Sequence, residues 1–578
     1  MSYFVYRSLT PHKKRIRLVH VLPANDRPSI EQDLTQQPDE LNPSHPSIAN
    51  NLICCTISHA SLDNAPPFTA LSYSWGDQTQ RCEILLNGAP ISITKNLESA
   101  LRHLRLQDKP LTLWIDALCI DQSDDVEKGE QIEQMGQIYS EALSVITWLG
   151  PAADNSDVAM QWNQRYGVLA SELGVGSCPE LQLRRLLEKA DLCGTESVER
   201  EIQTFIEDLK IQLSRDSAEQ LMCVAAVEQL LKRPYWSRVW VVQELVSASN
   251  TLFSNRSLPT HLLMRSLRKF GATDPRDKVF ALLGIAGDAE ALGLHPDYRK
   301  SCEEVYTELA LTLIRNGYHD PLSLSDSSRD ITGLPSWAPD WSTKSCRHPL
   351  QERSLNRSTR PLTTILQPNF SASGIKATLE VPRRDTIIRS MPLLLHGAVL
   401  GTVGQLGMVW EGDVGAWLQD LRRLSHPATD TIGLSEGRQK IAWRTAVADQ
   451  EIRQGNTKPK LSEEKISSVH ETLKDKDLSL TQVQTMIDAG LGDYYEQLQV
   501  VAQGRRPLLA SSGHLGIGPN ETQPGDVLVI FLIAQVPYIL RRHSEHNTLR
   551  LVGEAYVHGL MNGEAMKGSL ATEIIPLC

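Results

Sequence analysis

Two short stretches hold residue types whose spacing could do chemistry. In "WSRVWVVQEL", Glu244 follows Trp240 by four positions, so on a helix both occupy one face and the indole can cover the carboxylate from water. A carboxylate beside an indole tends toward a raised pKa. Such a group can steady the oxocarbenium-like cation that develops as a glycosidic bond breaks. The alternative is that Glu244 pairs with a nearby arginine such as Arg238. In "FTALSYSWGD", residues Ser72, Tyr73, Ser74, Trp75 and Asp77 crowd the end of a strand, and Asp116 ends the strand in "LWID". Ligands of an open α/β sheet bind outside the carboxyl ends of its strands, so these residues could share one crevice. The plainer alternative is a buried Tyr and Trp with a capping Asp.

The elements that must position these residues follow from pattern. "FTALSYS" reads as a buried strand, and "CEILLNGAPISI" as a hairpin turning at Asn87-Gly88. Asn96 can cap a helix in "LESALRHLRL", where Leu97, Ala100, Leu101 and Leu104 share a face. "LTLWIDALCI" and "SVITWLG" read as strands, with a helix between them carrying Ile132, Met135, Tyr139 and Ala142. Alternating strands and helices predict an α/β layer with a largely parallel sheet. Residues 24–50 are rich in Pro, Asn, Gln and Asp and read as a loop or insertion. Residues 151–232 are polar and mainly helical and read as a second insertion. The stretch 446–482 lacks a sustained apolar face and is expected to be a variable linker. Short strands separated by glycine turns then predict a β-rich C-terminal unit.

Composition narrows the function classes. The 578 residues allow several domains, and 58 Lys and Arg against 69 Asp and Glu leave a net charge of −11. Nucleic acid is therefore disfavoured as a partner, since phosphate binding leans on clustered cations. The one basic cluster, "HKKRIR", reads as the solvated flank of a first strand. No apolar run is long enough to span a membrane; "DVLVIFLIAQVPYIL" is broken by Gln535 and Pro537. The N-terminus lacks the order of a secretory signal, and ten scattered cysteines without a CxxC pair suggest free thiols, so a cytoplasmic location is expected. The HxxH at His543 to His546 lies in a polar turn, and no metal site is expected. "GHLGIGP" lacks the context of a dinucleotide loop, and neither a P-loop nor a GxSxG elbow occurs. Asp121, Asp124 and Asp125 read as helix N-terminal charges.

Taken in order, "ALSYSWGD", "TKNLESALRHLR", "LWIDALCIDQ", "EQMGQIYSEALSVITWLG" and "RPYWSRVWVVQEL" resemble the fungal heterokaryon incompatibility (HET) domain over about residues 68–250. "TDPRDKVFALLGIA", "PDYRKSCEEVY", "LPSWAPDWS" and the C-terminal strands resemble the flanking regions of HET-domain proteins of the HET-6 type. The resemblance divides the chain into an N-terminal strand and variable loop (1–67), the HET domain (68–250), a mainly helical region (251–445), a linker (446–482) and a β-rich unit (483–578).

It implies an intracellular effector of non-self recognition and programmed cell death. The HET domain is in turn distantly similar to TIR domains: "LSYSWGD" resembles their first strand and loop, and Trp240 to Glu244 matches the WxxxE spacing of TIR enzymes that cleave NAD. By that likeness the fold would be a TIR-like, mostly parallel sheet flanked by helices, and Glu244 would be catalytic. Tyr73, Ser74, Trp75, Asp77, Asp116 and Trp240 would contact the substrate. NAD would be that substrate, with no cofactor implied. Gln243 and the 151–232 insertion depart from the TIR pattern and bear on the shape of the crevice. Two other functions stay open: a non-enzymatic scaffold that self-associates or binds a receptor or incompatibility partner, and an accessory role in specialised metabolism.

Overall fold

A computed structural model describes residues 4–9, 14–25, 52–175, 197–214, 218–248, 258–326, 329–343, 347–351, 370–374, 392–425, 436–452, 459–474, 483–543, 547–567 and 571–578. The chain divides into two compact units, Met1–Ser301 and Cys302–Cys578.

The first unit is built on seven strands: β1 (Arg15–Val21), β2 (Cys54–Ser61), β3 (Thr69–Tyr73), β4 (Arg81–Leu86), β5 (Ala89–Thr94), β6 (Leu111–Trp114) and β7 (Ser144–Trp148). They lie in the order β5-β4-β2-β1-β6-β3-β7. Every residue of β3 is buried, as a continuous apolar run in a helix-covered sheet requires. Ile16, Leu18, Leu113 and Trp114 of β1 and β6 are buried with it in the core.

The α/β class stands as expected, but the strand directions are mixed. β3 runs parallel to β6 and β7, and β2 runs parallel to β4. The β1–β2, β1–β6 and β4–β5 pairings are antiparallel. The reason is local. A two-residue turn at Asn87 and Gly88, both with positive φ, can join only antiparallel neighbours, and crossover helices are needed to return a strand in the same direction. β3, read from sequence as the first core strand, is the third in the chain.

Caps define the helices that follow. Thr94, not Asn96, caps α1 (Lys95–Leu104) by accepting from the Leu97 N–H at 3.4 Å. Asn96 instead lies inside α1 and ties the loop after β3, donating to the Ser74 carbonyl at 2.6 Å and accepting from Trp148 Nε1 at 3.1 Å. Gly76 meets the Asn96 Cβ so closely, at positive φ, that a side chain there would strain the loop. A short helix α2 (Asp116–Cys119) follows β6, and Asp124 caps α3 (Asp125–Glu141) through the Val126 and Glu127 amides, as its sequence position predicts.

The α3 N-terminus is pinned to the sheet by a buried ion pair. Arg17 Nη2 donates to Glu127 Oε2 at 2.8 Å and Nη1 to Oε1 at 2.5 Å. The same guanidinium reaches the Cys119 and Arg7 carbonyls, so one side chain ties β1, α2 and α3 together. Farther on, the Gln243 amide, in the orientation that satisfies both ends, bonds the Ala281 carbonyl and the Gly136 N–H at 3.0 Å each. This links α3, the Val239–Ser247 helix and the Asp277–Leu283 helix, and explains why Gly136 and Gly284 carry no side chain at the crossing. Within the insertion, the described residues form helices Ser156–Glu172, Ser197–Ser214 and Ala218–Leu231.

The second unit opens with the Cys302–Arg315 helix and is centred on an eight-stranded sheet. Its strands are β8 (Leu393–Leu406), β9 (Arg505–Ala510), β10 (Leu515–Pro519), β11 (Val527–Phe531), β12 (Tyr538–Arg542), β13 (Leu549–Glu554), β14 (Tyr556–Val557) and β15 (Glu573–Leu577). β8, β11, β12, β13 and β15 close on one another as a ring, and β9, β10 and β14 extend from it.

β8 is a long strand inside a stretch expected to be mainly helical. It can serve β15, β11 and β9 in turn because it bends at Gly401 (φ 137) and because Gly397 leaves room for the Ile530 carbonyl. The stretch expected to be a linker contains a capped helix, Glu463–Leu473, whose Ile466, Val469 and Leu473 are buried. Their three- and four-residue spacing is a helical face that the surrounding Lys and Glu obscure. His546 of the HxxH lies outside the described residues. Among the described residues no helix is long and apolar enough to cross a membrane, and none cluster as a three-ligand metal site.

Removing one partner of a buried pair leaves an uncompensated charge, whereas an exposed i,i+4 pair contributes little. Glu127→Ala should therefore lower the stability of the chain by about 3–5 kcal/mol in denaturant unfolding. Glu98→Ala, which frees the partly exposed Arg102, should change it by less than about 1 kcal/mol. Similar losses in the two variants would contradict this account of Arg17.

Candidate functional site

The carboxyl ends of β3 and β6 open on a cleft of about 480 Å³ in the first unit. Ser74, Trp75 and Gly76 reach it from the loop after β3, and Asp116 from the loop after β6. Arg238 and Trp240 reach it from the start of the Val239–Ser247 helix. Asp274, Asp277 and Tyr298 close the far wall, and Lys128 lies over the Tyr298 ring at 3.9 Å.

Two carboxylates face the cleft in the same manner. Trp75 Nε1 donates to Asp116 Oδ2 at 2.7 Å, and Trp240 Nε1 donates to Asp277 Oδ2 at 3.0 Å. Tyr298 donates to the other oxygen of Asp277 at 2.5 Å. Burial pushes both acids above the ordinary carboxylate range; Arg238 and the Trp75 N–H oppose this at Asp116, and Tyr298 and Trp240 oppose it at Asp277. Each pair thus offers an aromatic face and a negative edge side by side.

Behind this surface lies a second layer. Glu244 is buried, accepts from Ser72 Oγ, and stands 4.0 Å from Arg238. Ser72 also bonds Tyr235 Oη at 2.7 Å. Arg238 donates to the Tyr73 carbonyl. Burial opposes its charge, but Glu244 and Asp116 outweigh that and hold its pKa above the ordinary value. Burial pushes Glu244 up to about 7, against the lowering by Arg238 and Ser72.

Of the residues singled out in the sequence, Ser74, Trp75, Asp116 and Trp240 share the cleft. Tyr73 is buried beneath it, beside Asp116, and burial raises its phenol well above the ordinary range. Glu244 sits behind Arg238, the partner that the alternative reading named. The indole of Trp240 is engaged with Asp277. Asp77 stands on an exposed turn, where it accepts from the Thr79 N–H at 2.9 Å and from Gln80 at 3.1 Å. Asp277 was missed: its place in "TDPRDKVFALLG" marks a helix start, and nothing local says that the first turn faces a cleft.

Residues 68–244 match the family model for heterokaryon incompatibility protein (HET), and residues 433–572 match that for the Het-6 beta-barrel domain. The first unit thus carries the match to the HET domain and the second the match to the Het-6 beta-barrel domain, the two parts found together in HET-domain proteins of the HET-6 type, which this chain resembles. Heterokaryon incompatibility protein 6, OR allele, of Neurospora crassa is 26% identical to it, across 90% of this chain and 93% of that protein. No solved structure matches the chain.

The raised acid titration has a sign. Glu244 binds its proton more tightly folded than unfolded, so the folded state carries an extra proton between its ordinary value of 4.5 and about 7. That contribution is complete below the window and is lost as pH rises through it. The stability difference between the native chain and Glu244→Gln should fall by on the order of 3 kcal/mol from about pH 4 to about pH 8. A pH-independent difference in urea unfolding would mean that Glu244 titrates alike in the folded and unfolded chain.

Proposed function

We propose that the chain acts in non-self recognition as an effector whose first unit binds NAD in the cleft and cleaves its nicotinamide–ribose bond, with cell death as the consequence. The observation that carries this reading is the pair of indole–carboxylate contacts, Trp75 with Asp116 and Trp240 with Asp277, on one concave surface. A cationic pyridinium ring matches an indole face bordered by carboxylate.

As the C1′–N bond breaks, its electron pair stays with nicotinamide and positive charge develops on the ribose. Asp116 and Asp277, which line the cleft, would supply the negative charge that stabilises it, and water then adds to C1′ and gives up a proton. Arg238, which also lines the cleft, would take a phosphate oxygen. Glu244, catalytic by likeness to TIR enzymes, would reach the substrate only through a movement of Arg238.

The role of the Neurospora crassa relative in heterokaryon incompatibility, stated by its name, supports the setting. A second reading, a non-enzymatic scaffold that self-associates or binds an incompatibility partner, is favoured by the burial of Glu244 against Ser72 and Arg238.

Nicotinamide release from NAD by the purified full chain tests both. Release is expected, with Asp277→Asn and Asp116→Asn each slowing it about 100-fold or more. Loss confined to Glu244→Gln would transfer the cation-stabilising role to Glu244. An inactive native chain at concentrations that drive assembly would leave the scaffold reading.

A further inference from the structure

The wall of the first unit's cleft holds a cation whose hydrogen bonds the protein does not supply. Lys128, near the start of α3, lines the cleft and is half-buried. Its Nζ stands 3.9 Å from the centroid of the Tyr298 ring, and among the described residues it donates to no acceptor. An ammonium has three donors and no acceptor, so all three are left for water or for a ligand.

The acids beside it are already engaged. Asp274 accepts from Arg276 Nε at 3.0 Å and Nη2 at 2.7 Å, and Asp277 accepts from Trp240 and Tyr298. Asp274, Asp277, Arg276 and Lys128 together leave this corner without net charge, so an arriving anion meets no excess of like charge. Arg238, which also lines the cleft, differs from Lys128 in having protein acceptors, the Tyr73 carbonyl and, at 4.0 Å, Glu244.

The ammonium is also held in place before any ligand arrives. Tyr298 is fixed by its bond to Asp277 and by an edge-to-face contact with Phe280, centroids 4.9 Å apart. A cation over the face of a ring is attracted by the ring's quadrupole, which orders the lysine without using its N–H donors. Such preorganisation lowers the entropic cost of binding. Ile132 and Met135 follow Lys128 by four and seven positions and line the same cleft, so one face of α3 offers an apolar floor that ends in a positive charge. A floor of that kind suits a ligand that joins an apolar group to an anion.

We infer that Lys128 is a phosphate subsite of this cleft: its ammonium takes an oxygen of a nucleotide's phosphate, and the sugar and ring attached to that phosphate fill the rest of the space. Lysine binds phosphate as a point charge with rotatable donors, which matches the tetrahedral spread of its oxygens. That the nucleotide is NAD rests on the function proposed above; the subsite is tested apart from cleavage.

ADP-ribose, which carries the diphosphate of NAD and no nicotinamide, is the probe, titrated calorimetrically into the full chain beside nicotinamide riboside, which carries no phosphate. Lys128→Met keeps an unbranched stem over Tyr298 and removes the charge, and because Nζ bonds no protein group the fold loses no partner. It should weaken ADP-ribose about tenfold or more and leave nicotinamide riboside within about twofold. Lys128→Arg should recover most of that loss, and added salt should weaken ADP-ribose more in the native chain than in Lys128→Met. Equal losses for the two ligands would make Lys128 a support for Asp277 and overturn the proposal. Binding unchanged by Lys128→Met would overturn it too, as would no binding of ADP-ribose to the native chain by about 5 mM. Lys128-dependent binding of ADP-ribose by a chain that releases no nicotinamide would keep the subsite and overturn only the cleavage.

Discussion

The Arg238 guanidinium is the charge on which the first unit's cleft depends. It sits at the start of the Val239–Ser247 helix, donates to the Tyr73 carbonyl, stands 4.0 Å from Glu244, and acts on Asp116 through its charge. Two buried carboxylates so near one another could not both ionise without it. Its position also divides the site into two layers. In front are the indole-paired carboxylates Asp116 and Asp277; behind are Glu244, Ser72 and Tyr235, bonded into the core.

That division bears on what the cleft can do. Asp116 and Asp277 border the cleft, each bonded to an indole N–H that offsets part of the burial raising its pKa. Glu244, pushed up to about 7 by burial behind Arg238, lies back from that surface. Any movement of Arg238 would alter both layers at once, because the same side chain lowers the pKa of Glu244 and of Asp116. The Arg17–Glu127 pair and the Gln243 amide fix α3 and the Asp277–Leu283 helix around this core, so the cleft walls are set by buried polar contacts as much as by apolar packing.

The second unit solves a different problem. Its long β8 strand pairs with β15, β11 and β9 along successive parts of its length, which closes the ring and hides edges that would otherwise template association. The buried Arg505–Glu554 pair, whose two side chains are fully shielded, links β9 to β13 across that sheet. Closure uses glycine at two places, Gly401, where the bend needs a positive φ, and Gly397, where the Ile530 carbonyl occupies the space of a side chain.

Much of the fold was legible from pattern. The buried run of β3, the Asn87-Gly88 turn and the Asp124 cap each rest on contacts within a few residues, and such contacts are written in local spacing. The ordered sequence blocks likewise sufficed to name the family. Strand direction was not legible, because β1 pairs with β2 across a long intervening segment whose composition says nothing about register. Nor was the β8 strand, whose glycines weaken its pattern and make sense only beside the Ile530, Ser511 and Leu509 atoms that crowd them. In the site, sequence alone determined that Trp75, Asp116 and Trp240 were available for chemistry at strand and helix ends. Only the tertiary structure decided that Asp277 joins them and that Glu244 turns inward to Arg238, since helical periodicity sets which residues share a face but not what that face meets.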